Sequence, residues 1–454
     1  MIVMKFGGTS VQDAEAIDRL CGIVRSKLDK QPVVVLSAIS KATDTLINSA
    51  NLAAAGKLVN AIEDIEDLKD RHFEISSGLL KDDASLSELK LKLLIYFSEI
   101  NDLLKGVSLL NELTPKSHVK IVSYGELMST LITSYAMKER GINALLLDSR
   151  EFIITDNNFL KGEPDINEIT VRTKKSLAEN IQTGFIPVIQ GFISSSKNGI
   201  QTVLGRGGSD YTASLVGMAL DAEAIEIWTD VDGMLTADPR KVTGTKIISK
   251  ISFEEAAEIT YFGAKVLHPM TIQPAVEKNI PVWIKNSGSP ETEGTIILNT
   301  VSENGAEVKS ISCKENITVM NIFSMRMLNS YGYLKKIFEV FDKHKTSVDL
   351  ITTSEVNVSV TLDNNEFLDD IKKELSEYAK VNVEKNKSLV CVVGSNIRNT
   401  KGIAAKIFGV LTDYNITMIS LGSSLINISF VVDQDKLTDV LQKLHDTFFK
   451  AVDN

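Results

Sequence analysis

Cysteine is scarce in this chain, and so are the features that accompany secretion or membrane insertion. The 454 residues include three cysteines, Cys21, Cys313 and Cys391, which lie far apart and form no CxxC pair. This argues against a zinc site or a disulfide framework, and it fits a reducing compartment, so we expect a cytoplasmic location. The N-terminus lacks the pattern of a signal peptide, and no apolar stretch approaches the roughly 20 residues that cross a bilayer. We therefore expect no membrane partner.

An excess of positive charge is also missing. Lys and Arg number 49 against 59 Asp and Glu, which gives a formal net charge of −10. Because nucleic-acid backbones are bound through a basic surface, we expect no nucleic-acid partner. The hydrophobic content of 43% and the charged content of 24% are ordinary for a globular protein. The length suggests two to four domains.

The most informative stretch is a glycine-rich loop at residues 205–213, GRGGSDYTA. Strand-like residues 202–204 precede it, and a mostly apolar helix candidate over 213–220 follows it. Such a loop points backbone N–H groups at an anion above the helix N-terminus. Arg206 can grip a carboxylate or phosphate with two parallel hydrogen bonds, and Asp210 adds a carboxylate nearby. A tight turn capped by Ser209 is the alternative, since one glycine loop alone is a weak signal.

A second glycine loop lies at the N-terminus. Residues 2–6, IVMKF, predict a short buried strand, and residues 7–10, GGTS, turn the chain. Ser10 resembles the first residue of a capping box for a helix over 11–28. Lys5 is at the carboxyl end of the strand, where open α/β sheets bind ligands. A charge within an apolar strand needs a partner, so we favour a functional role over a solvated lysine.

Alternating strands and helices predict a doubly wound, mostly parallel sheet. The strand predictions rest on apolar runs, which suit a parallel sheet covered on both faces. Helical spacing of apolar residues predicts a helical excursion over 46–113, and residues 287–295 are predicted to be a linker. The predicted strands are residues 32–38, 120–124, 144–147, 186–191, 224–228 and 281–285. The strand at 281–285 is predicted to be the last one of this sheet.

Polar residues at the ends of these elements are candidate ligand groups. Thr43 offers a hydroxyl, with a helix N-cap as an equal alternative. Glu126 suits an ammonium group, although an acid in the first turn of a helix also complements the helix dipole. Asp230 and Asp232 have the spacing of a calcium loop, but the remaining ligands are missing, so a nucleotide-contacting loop is favoured. Arg240 follows and can meet a phosphate.

The C-terminal third contains an internal repeat with an offset of 70 residues. GYLKKIF at 332–338 recurs as GIAAKIF at 402–408. Each copy predicts a glycine turn, an amphipathic helix, a strand, a turn and an alternating strand. Two small α+β modules are therefore expected.

The two copies differ in charge. Asp349 and Glu355 of the first copy correspond to Ile419 and Leu425 of the second. A ligand with a cationic group would find carboxylate partners only in the first copy. Sequence drift on a solvated face is the alternative.

Five motifs in order, together with the tandem modules, resemble the aspartokinase family over essentially the whole chain. The modules look like ACT regulatory domains, and the length predicts a monofunctional enzyme. The motifs are KFGGTS at 5–10, SYGE at 123–126, GRGGSDYTA at 205–213, WTDVDG at 228–233 with DPR at 238–240, and FGAKVLHP at 262–269.

The resemblance implies an α/β fold of the amino-acid-kinase type, with three αβα layers around a mostly parallel sheet. This catalytic domain would span residues 1–298 and include the helical excursion. Two α+β modules of the ACT type would follow in residues 299–454. Their repeat cores are residues 332–363 and 402–433.

The family transfers the γ-phosphoryl group of ATP to the β-carboxylate of L-aspartate, the first step toward lysine, threonine and methionine. The resemblance implies catalytic roles for Lys5 and Asp210, with Glu126 on the ammonium and Arg206 on the α-carboxylate of aspartate. Mg²⁺ would be held mainly by the ATP phosphates, without a firm protein ligand. The implied substrate-binding residues are Thr43, Glu126, Arg206, Gly207, Gly208 and Ser209. The implied nucleotide-binding residues are Lys5, Gly7, Gly8, Thr9, Ser10, Thr229, Asp230, Leu235, Arg240, Lys265 and Val266.

One departure concerns the nucleotide. Relatives often carry a tyrosine where this chain has Leu235. A stacking or hydroxyl contact to the nucleotide is therefore in doubt, but the activity is not.

The first ACT copy resembles the lysine-inhibited branch of the family, which implies L-lysine as the allosteric effector. Because ACT modules of this family pair between subunits, a homodimer or homotetramer is expected. The implied effector residues are Met327, Ser330, Gly332, Tyr333, Leu334, Ser347, Val348, Asp349, Ser354 and Glu355.

Two alternatives remain open. Another amino-acid kinase of the same fold is one, and the ACT pair and the motif at 262–269 argue against it. An inactive amino-acid sensor that uses only the ACT pair is the other. Lys5, Arg206 and Asp210 argue against a sensor because all three chemical groups are present.

Overall fold

The computed structural model describes residues 1–263, 269–300, 308–422 and 424–450, and every element below belongs to this part of the chain. The strands are β1 (Ile2–Phe6), β2 (Val33–Leu36), β3 (Ala144–Leu147), β4 (Ile154–Thr155), β5 (Ile186–Gln190), β6 (Ile193–Ser196), β7 (Gln201–Val203), β8 (Ala224–Thr229), β9 (Lys250–Ser252), β10 (Val282–Asn286), β11 (Thr295–Leu298), β12 (Val308–Phe323), β13 (Ile351–Thr353), β14 (Asn357–Leu362), β15 (Lys380–Gly394), β16 (Met418–Leu421) and β17 (Asn427–Asp433). The helices are α1 (Ala14–Arg25), α2 (Ala42–Ala54), α3 (Leu58–Leu79), α4 (Asp83–Leu110), α5 (Pro115–Val122), α6 (Tyr124–Glu139), α7 (Ile166–Gln182), α8 (Gly208–Ala219), α9 (Phe253–Tyr261), α10 (Pro269–Glu277), α11 (Tyr333–Lys343), α12 (Leu368–Leu375), α13 (Ile403–Gly409) and α14 (Leu437–Phe449).

The chain forms two compact units. The first comprises the described residues within Met1–Met234, Ser249–Phe253 and Val266–Thr300, and the second those within Leu235–Ile248, Glu254–Lys265 and Val301–Asn454. The boundary at residue 298 stays a prediction. None of the described helices combines the length and apolar character that a membrane span requires.

The first unit is built on an eight-stranded sheet in the order β3-β5-β2-β1-β8-β10-β11-β9. Its first six strands pair in parallel, and only β10 and β11 pair antiparallel. This confirms the predicted mostly parallel sheet. A second, three-stranded sheet in the order β4-β6-β7 brings the strand before the glycine loop at 205 antiparallel to β6.

Successive side chains of β1 point to opposite faces of the sheet and therefore contact different helices. Met4 and Phe6 belong to the large apolar core that also contains Ile17 of α1. Val3 points to the opposite face, where its methyl group would lie 3.8 Å from a Cβ added to Gly217 of α8. Because side chains alternate with a period of two, Lys5 must share the α8 face with Val3.

The helical excursion predicted over 46–113 is confirmed by α2, α3 and α4. The strand predicted at 120–124 is wrong, because those residues belong to α5 and α6. Thr114 caps α5 by accepting a hydrogen bond from the Ser117 N–H, and Pro115 occupies the first helical turn. These start signals and burial among other helices outweigh the strand preference of the β-branched residues.

Two further local predictions are also corrected. The first long helix begins at Ala14 instead of Val11, and its cap is Asp13, whose carboxylate accepts from the Ala16 N–H at 2.8 Å. Residues 287–295 are not a linker that follows the last strand of the sheet, because they connect β10 to the antiparallel strand β11. The Thr295 hydroxyl accepts a hydrogen bond from the Met234 N–H, which ties β11 into the first unit.

The second unit confirms the two predicted α+β modules. Its six-stranded antiparallel sheet has the order β13-β14-β12-β15-β17-β16. Helices α11 and α13 begin 70 residues apart, after Gly332 and Gly402, which have φ of +74° and +80°. Positive φ explains why glycine starts both copies.

Each module has its own apolar core, but the modules share two strands. The carboxyl half of β12 pairs with β14, and the carboxyl half of β15 pairs with β17, while β12 and β15 pair with each other along their whole length. The alternation predicted for Val356, Val358 and Val360 is confirmed within β14, where Val358 and Val360 are fully buried, whereas Val356 is half-buried and precedes the strand.

The apolar stripe predicted for the helix of the first copy consists of Leu334, Ile337, Phe338 and Phe341. Ile337 and Phe341 are buried and Phe338 is half-buried, but Leu334 is exposed.

Candidate active site

A cavity of about 560 Å³ opens in the first unit at the carboxyl ends of β1, β2 and β8. This is the edge at which an open parallel sheet binds ligands. It brings together most of the residues that the sequence nominated for substrate and nucleotide. Its lining is formed by Lys5, Gly7, Gly8, Thr9, Ser37, Ala38, Ile39, Ser40, Lys41, Thr43, Asp44, Glu126, Phe192, Gly205, Arg206, Gly207, Gly208, Ser209, Asp210, Thr229 and Asp230.

The glycine loop at 205–213 shapes one wall of the cavity. Gly205 and Gly207 have φ of +77° and +72°, and α8 begins at Gly208, five residues earlier than predicted. Asp210 therefore lies in the first turn of α8, and Ser209 makes no capping hydrogen bond. The N–H groups of this first turn, together with the helix dipole, face a site that favours an anion.

Lys5 and Asp210 form a salt bridge across this wall. Lys5 Nζ lies 2.7 Å from Asp210 Oδ1, and each side chain is only 11% exposed. The pair joins the carboxyl end of β1 to the N-terminus of α8. Charges so far removed from water require a partner, and this one places an ammonium group beside two glycine loops.

Glu126 supplies a second buried carboxyl group. Its Oε1 accepts a hydrogen bond from the Ala38 N–H at 3.2 Å, and its Oε2 is buried without a hydrogen-bond partner among the described residues. Burial raises the pKa of Glu126 to about 8. A carboxyl group held in this way lacks a cation, so an ammonium group is the partner that its surroundings favour.

Arg206 and Thr43 line the same cavity as Glu126. Arg206 is exposed at the rim and forms no ion pair with any residue that the structure describes. A Cβ added to Gly125, next to Glu126, would lie 2.8 Å from Ala38 Cβ and 3.5 Å from Thr43 Oγ1, so the glycine allows close packing against Ala38 and Thr43 lies in ordinary contact distance. The cavity thus presents a guanidinium, a hydroxyl and a carboxyl group with one oxygen that has no hydrogen-bond partner among the described residues.

Comparison with known proteins agrees with this arrangement. The model of the amino acid kinase family matches residues 1–286, and an ACT domain model matches residues 390–448. The chain is 38% identical over 466 residues to the chloroplastic aspartokinase 3 of Arabidopsis thaliana, a match that covers 99% of this chain and 82% of the relative.

The chain belongs to the aspartokinase family. It therefore has aspartate kinase activity. Crystal structures of Escherichia coli aspartokinase III, with 37% identity, match 99% of this chain and 100% of theirs. The TM-score is 0.83 for its R-state complex with aspartate and ADP, and 0.85 for its T-state complex with lysine and aspartate.

Some residues that the aspartokinase resemblance assigned to the nucleotide are outside the cavity lining. Ser10 is 2% exposed, and its hydroxyl donates to the Trp228 carbonyl at 3.3 Å and pairs with the Ser287 hydroxyl at 2.7 Å. Leu235 and Arg240 belong to the second unit, where Arg240 forms an ion pair with Asp238. Lys265 and Val266 lie outside the described residues.

Other lining residues were missed by sequence reasoning. Phe192 has φ of +67°, its N–H donates to the Thr212 hydroxyl at 3.1 Å, and its ring lies against Gly208. Lys41 also has a positive φ, at +69°. The one available signal was the position of Phe192 just beyond the carboxyl end of an apolar strand, because no sequence pattern announces a positive φ at a non-glycine residue.

The predicted effector residues of this aspartokinase divide into two groups. Six of them line a cavity of about 380 Å³ at the start of α11: Met327, Ser330, Gly332, Tyr333, Leu334 and Glu355. Ser347, Val348, Asp349 and Ser354 do not line it. Asp349 accepts a hydrogen bond from the Tyr261 hydroxyl at 2.6 Å and lies 2.9 Å from Lys314 Nζ.

The packing of Gly191 against the first turn of α8 gives a test of the site. A Cβ added to Gly191 would lie 2.5 Å from Ser209 Cβ and 2.7 Å from Ser209 Cα. We expect Gly191→Ala to displace Ser209 and Asp210 and to lower turnover by about 10- to 100-fold, since small misplacements of reacting groups are costly. Steady-state kinetics with aspartate and ATP measure this.

Gly22→Ala is the matched control. Gly22 lies in α1, and a Cβ there meets nothing within 4 Å. It should keep full activity and gain a few tenths to about 1 kcal/mol of stability. Wild-type turnover in Gly191→Ala would contradict the expected displacement of Ser209 and Asp210.

Proposed function

We propose that this aspartate kinase transfers the γ-phosphoryl group of ATP to the β-carboxylate of L-aspartate, giving 4-phospho-L-aspartate, and that L-lysine inhibits it. The observation that carries the catalytic part is the buried Lys5–Asp210 pair between two glycine loops, next to Arg206 and Glu126. The E. coli relative that binds aspartate and ADP supports the same choice of substrates.

Aspartate is oriented by three groups in this proposal. Glu126 receives the α-ammonium, Arg206 grips the α-carboxylate with its planar guanidinium, and the Thr43 hydroxyl donates to a carboxylate oxygen. The β-carboxylate then points toward Lys5. Each assignment satisfies a charge of the substrate with a group that lines the cavity.

The phosphoryl group moves between two anions, so neutralising charge is the main task. An oxygen of the β-carboxylate attacks the γ-phosphorus, and the bond from this phosphorus to the β,γ-bridging oxygen breaks as ADP leaves. No proton has to move, because the attacking carboxylate is ionised. Lys5 neutralises the oxygens of the group in transfer, Gly8 and Thr9 offer backbone N–H groups, and Asp210 holds Lys5 in position. The Gly7 N–H, which the sequence also nominated, already donates to the Trp228 carbonyl at 3.0 Å.

Mg²⁺ would supply further neutralisation of the phosphates when bound. Four acids line the cavity: Asp44, Glu126, Asp210 and Asp230. Asp210 is already paired with Lys5, and burial raises the pKa of Glu126, which favours its protonated form, so these two fit a metal ion poorly. Asp44 and Asp230 are the lining carboxylates that remain for it. We propose that the ATP phosphates provide most of its ligands.

The function is tested by ATP- and Mg-dependent formation of the acyl hydroxamate from L-aspartate, with glutamate as the competing substrate. Lys5→Met should lower kcat by about 10²- to 10³-fold, because it removes a charge aimed at the transferring group. Lys174→Met is the control, since Lys174 pairs with Asp221 on the surface and should keep full activity. Residual activity of Lys5→Met equal to wild type would refute the role of Lys5, and a preference for glutamate would refute the substrate.

The pH dependence of aspartate use tests Glu126. The pKa of Glu126 is raised to about 8, so the group is mostly protonated in the free protein at pH 7. Since only the carboxylate binds an ammonium group, kcat/KM for aspartate should rise with pH until about 8, approaching tenfold per unit well below that value. Glu126→Gln should be less active and flat over this range. A flat wild-type profile from pH 6 to 8 would count against the assignment.

We propose that the effector binds in the cavity at the start of α11. The N–H groups at this helix N-terminus suit the carboxylate of an amino acid, and Glu355 at the cavity wall suits an ammonium group. The E. coli relative that forms a T-state complex with lysine supports L-lysine as this effector.

Asp349 has a different setting from Glu355. Its carboxylate is 2% exposed and is already neutralised by Lys314, whose Nζ also lies 4.2 Å from the centre of the Tyr261 ring. An effector ammonium at Asp349 would therefore have to compete with Lys314. We propose that such competition releases Lys314 and Tyr261 and favours the less active state.

We further propose that the subunits pair through the ACT modules into a homodimer or homotetramer. Strand β16 lies at one edge of the six-stranded sheet, and its Ile419 and Leu421 are exposed. An edge strand that carries exposed apolar side chains is suited to pairing with a second copy.

Lysine sensitivity is tested at Glu355. Glu355→Gln should raise the lysine concentration for half-inhibition by about 10-fold or more, because it removes one charge-assisted hydrogen bond, and should leave the uninhibited rate unchanged. Leu425→Gln alters the corresponding position of the second module and should leave inhibition unchanged. Full lysine sensitivity in Glu355→Gln would exclude this cavity as the effector site.

A further inference from the structure

The first observation is a close contact between two loops that line the active-site cavity. One loop follows β1 at residues 7–12, and the other follows β2 at residues 37–41. The Ser40 N–H donates to the Gly8 carbonyl at 3.1 Å, and a Cβ on Gly8 would lie 3.0 Å from the Ala38 carbonyl oxygen. Movement of either loop therefore moves the other.

The second observation is an arginine from outside both loops that binds each of them. Arg71 lies in α3, within the helical excursion. Its Nη1 donates to the Ser40 carbonyl at 2.7 Å, and its Nη2 donates to the Gln12 carbonyl at 2.9 Å. One guanidinium thus bridges the loop after β1 and the loop after β2.

Arg71 forms no ion pair with a carboxylate that the structure describes. Among the residues that the structure describes, no acidic side chain lies within 4.0 Å of its guanidinium, whereas the neighbouring Lys69 pairs with Glu66. A planar guanidinium offers several N–H donors in a fixed geometry, so it can hold two carbonyl groups at a set separation, which an ammonium on a flexible stem does less well.

We propose that Arg71 is a positioning residue for phosphoryl transfer. Its guanidinium acts as a clamp, which sets the loop of Gly7, Gly8 and Thr9 against the loop of residues 37–41. Phosphoryl transfer depends mainly on the placement of donors around the phosphates, so the spacing of these loops affects the rate directly. This gives the helical excursion a role in catalysis through α3. The inference rests on the proposed function, because it assigns the phosphates to the Gly7–Thr9 loop.

The test compares Arg71→Ala and Arg71→Lys with the wild type in the hydroxamate assay. Arg71→Ala should lower kcat by about 10- to 100-fold with a thermal midpoint close to wild type, and millimolar guanidinium should restore part of the loss. Arg71→Lys keeps the charge without the planar fork and should stay below the wild-type kcat. Arg172→Ala is the matched control: Arg172 pairs with Glu168 on α7, so its loss should leave kcat unchanged.

Three outcomes would overturn the inference. These are wild-type kcat in both Arg71 variants, a loss that merely follows the amount of folded protein, and a loss that guanidinium does not restore. If Arg71→Ala does not fold, Arg71→Lys decides, since wild-type kcat there is sufficient to refute the clamp.

A second readout separates this inference from the proposed function. If the wild-type protein does not phosphorylate aspartate, the proposed function fails, but binding of ADP with Mg²⁺ by calorimetry still tests the clamp. Arg71→Ala should then bind ADP at least several-fold more weakly than Arg172→Ala. Equal affinities would overturn the clamp as well.

Discussion

The buried ion pair between Lys5 and Asp210 is the constraint on which the catalytic unit depends. Removing two charges from water is costly, so such a pair persists only where the surrounding fold holds both groups. The alternation of β1 turns Lys5 toward α8, and the positive φ of Gly207 starts α8 early enough to present Asp210. Strand register and helix start are thus both tied to one short contact at the cavity.

The regulatory unit repeats a single ionic arrangement and then departs from it. Lys387 of β15 lies 2.7 Å from Asp433, and Lys314 of β12 lies 3.5 Å from Asp363, the equivalent acid of the first copy. Only the first copy adds Asp349, where the second has Ile419. Each lysine thus has two acidic neighbours, but the second acid comes from a different place: Lys387 also lies 3.2 Å from Glu384 of β15, whereas Lys314 lies 2.9 Å from Asp349, which also accepts from the Tyr261 hydroxyl.

Much of this architecture could be predicted because its signals are local. Glycines at turns, apolar strands and a repeat at a fixed offset need no knowledge of distant contacts. Residues 120–124 were misassigned because a short apolar run does not distinguish a strand from a buried helix by periodicity. Phe192 and Arg71 were missed for another reason. Sequence patterns indicate neither the positive φ of Phe192 nor the hydrogen bonds of Arg71 to carbonyls 31 and 59 positions away.

Sharing of β12 and β15 between the two ACT modules has a consequence for how this unit can change over evolution. Each of these strands supplies one half to each module, so the modules are interleaved and not joined end to end. Neither can be deleted, duplicated or exchanged as a cassette without leaving the other with an incomplete sheet. The ligand preference of one copy can therefore diverge by point substitution, but the pair must be inherited and lost together.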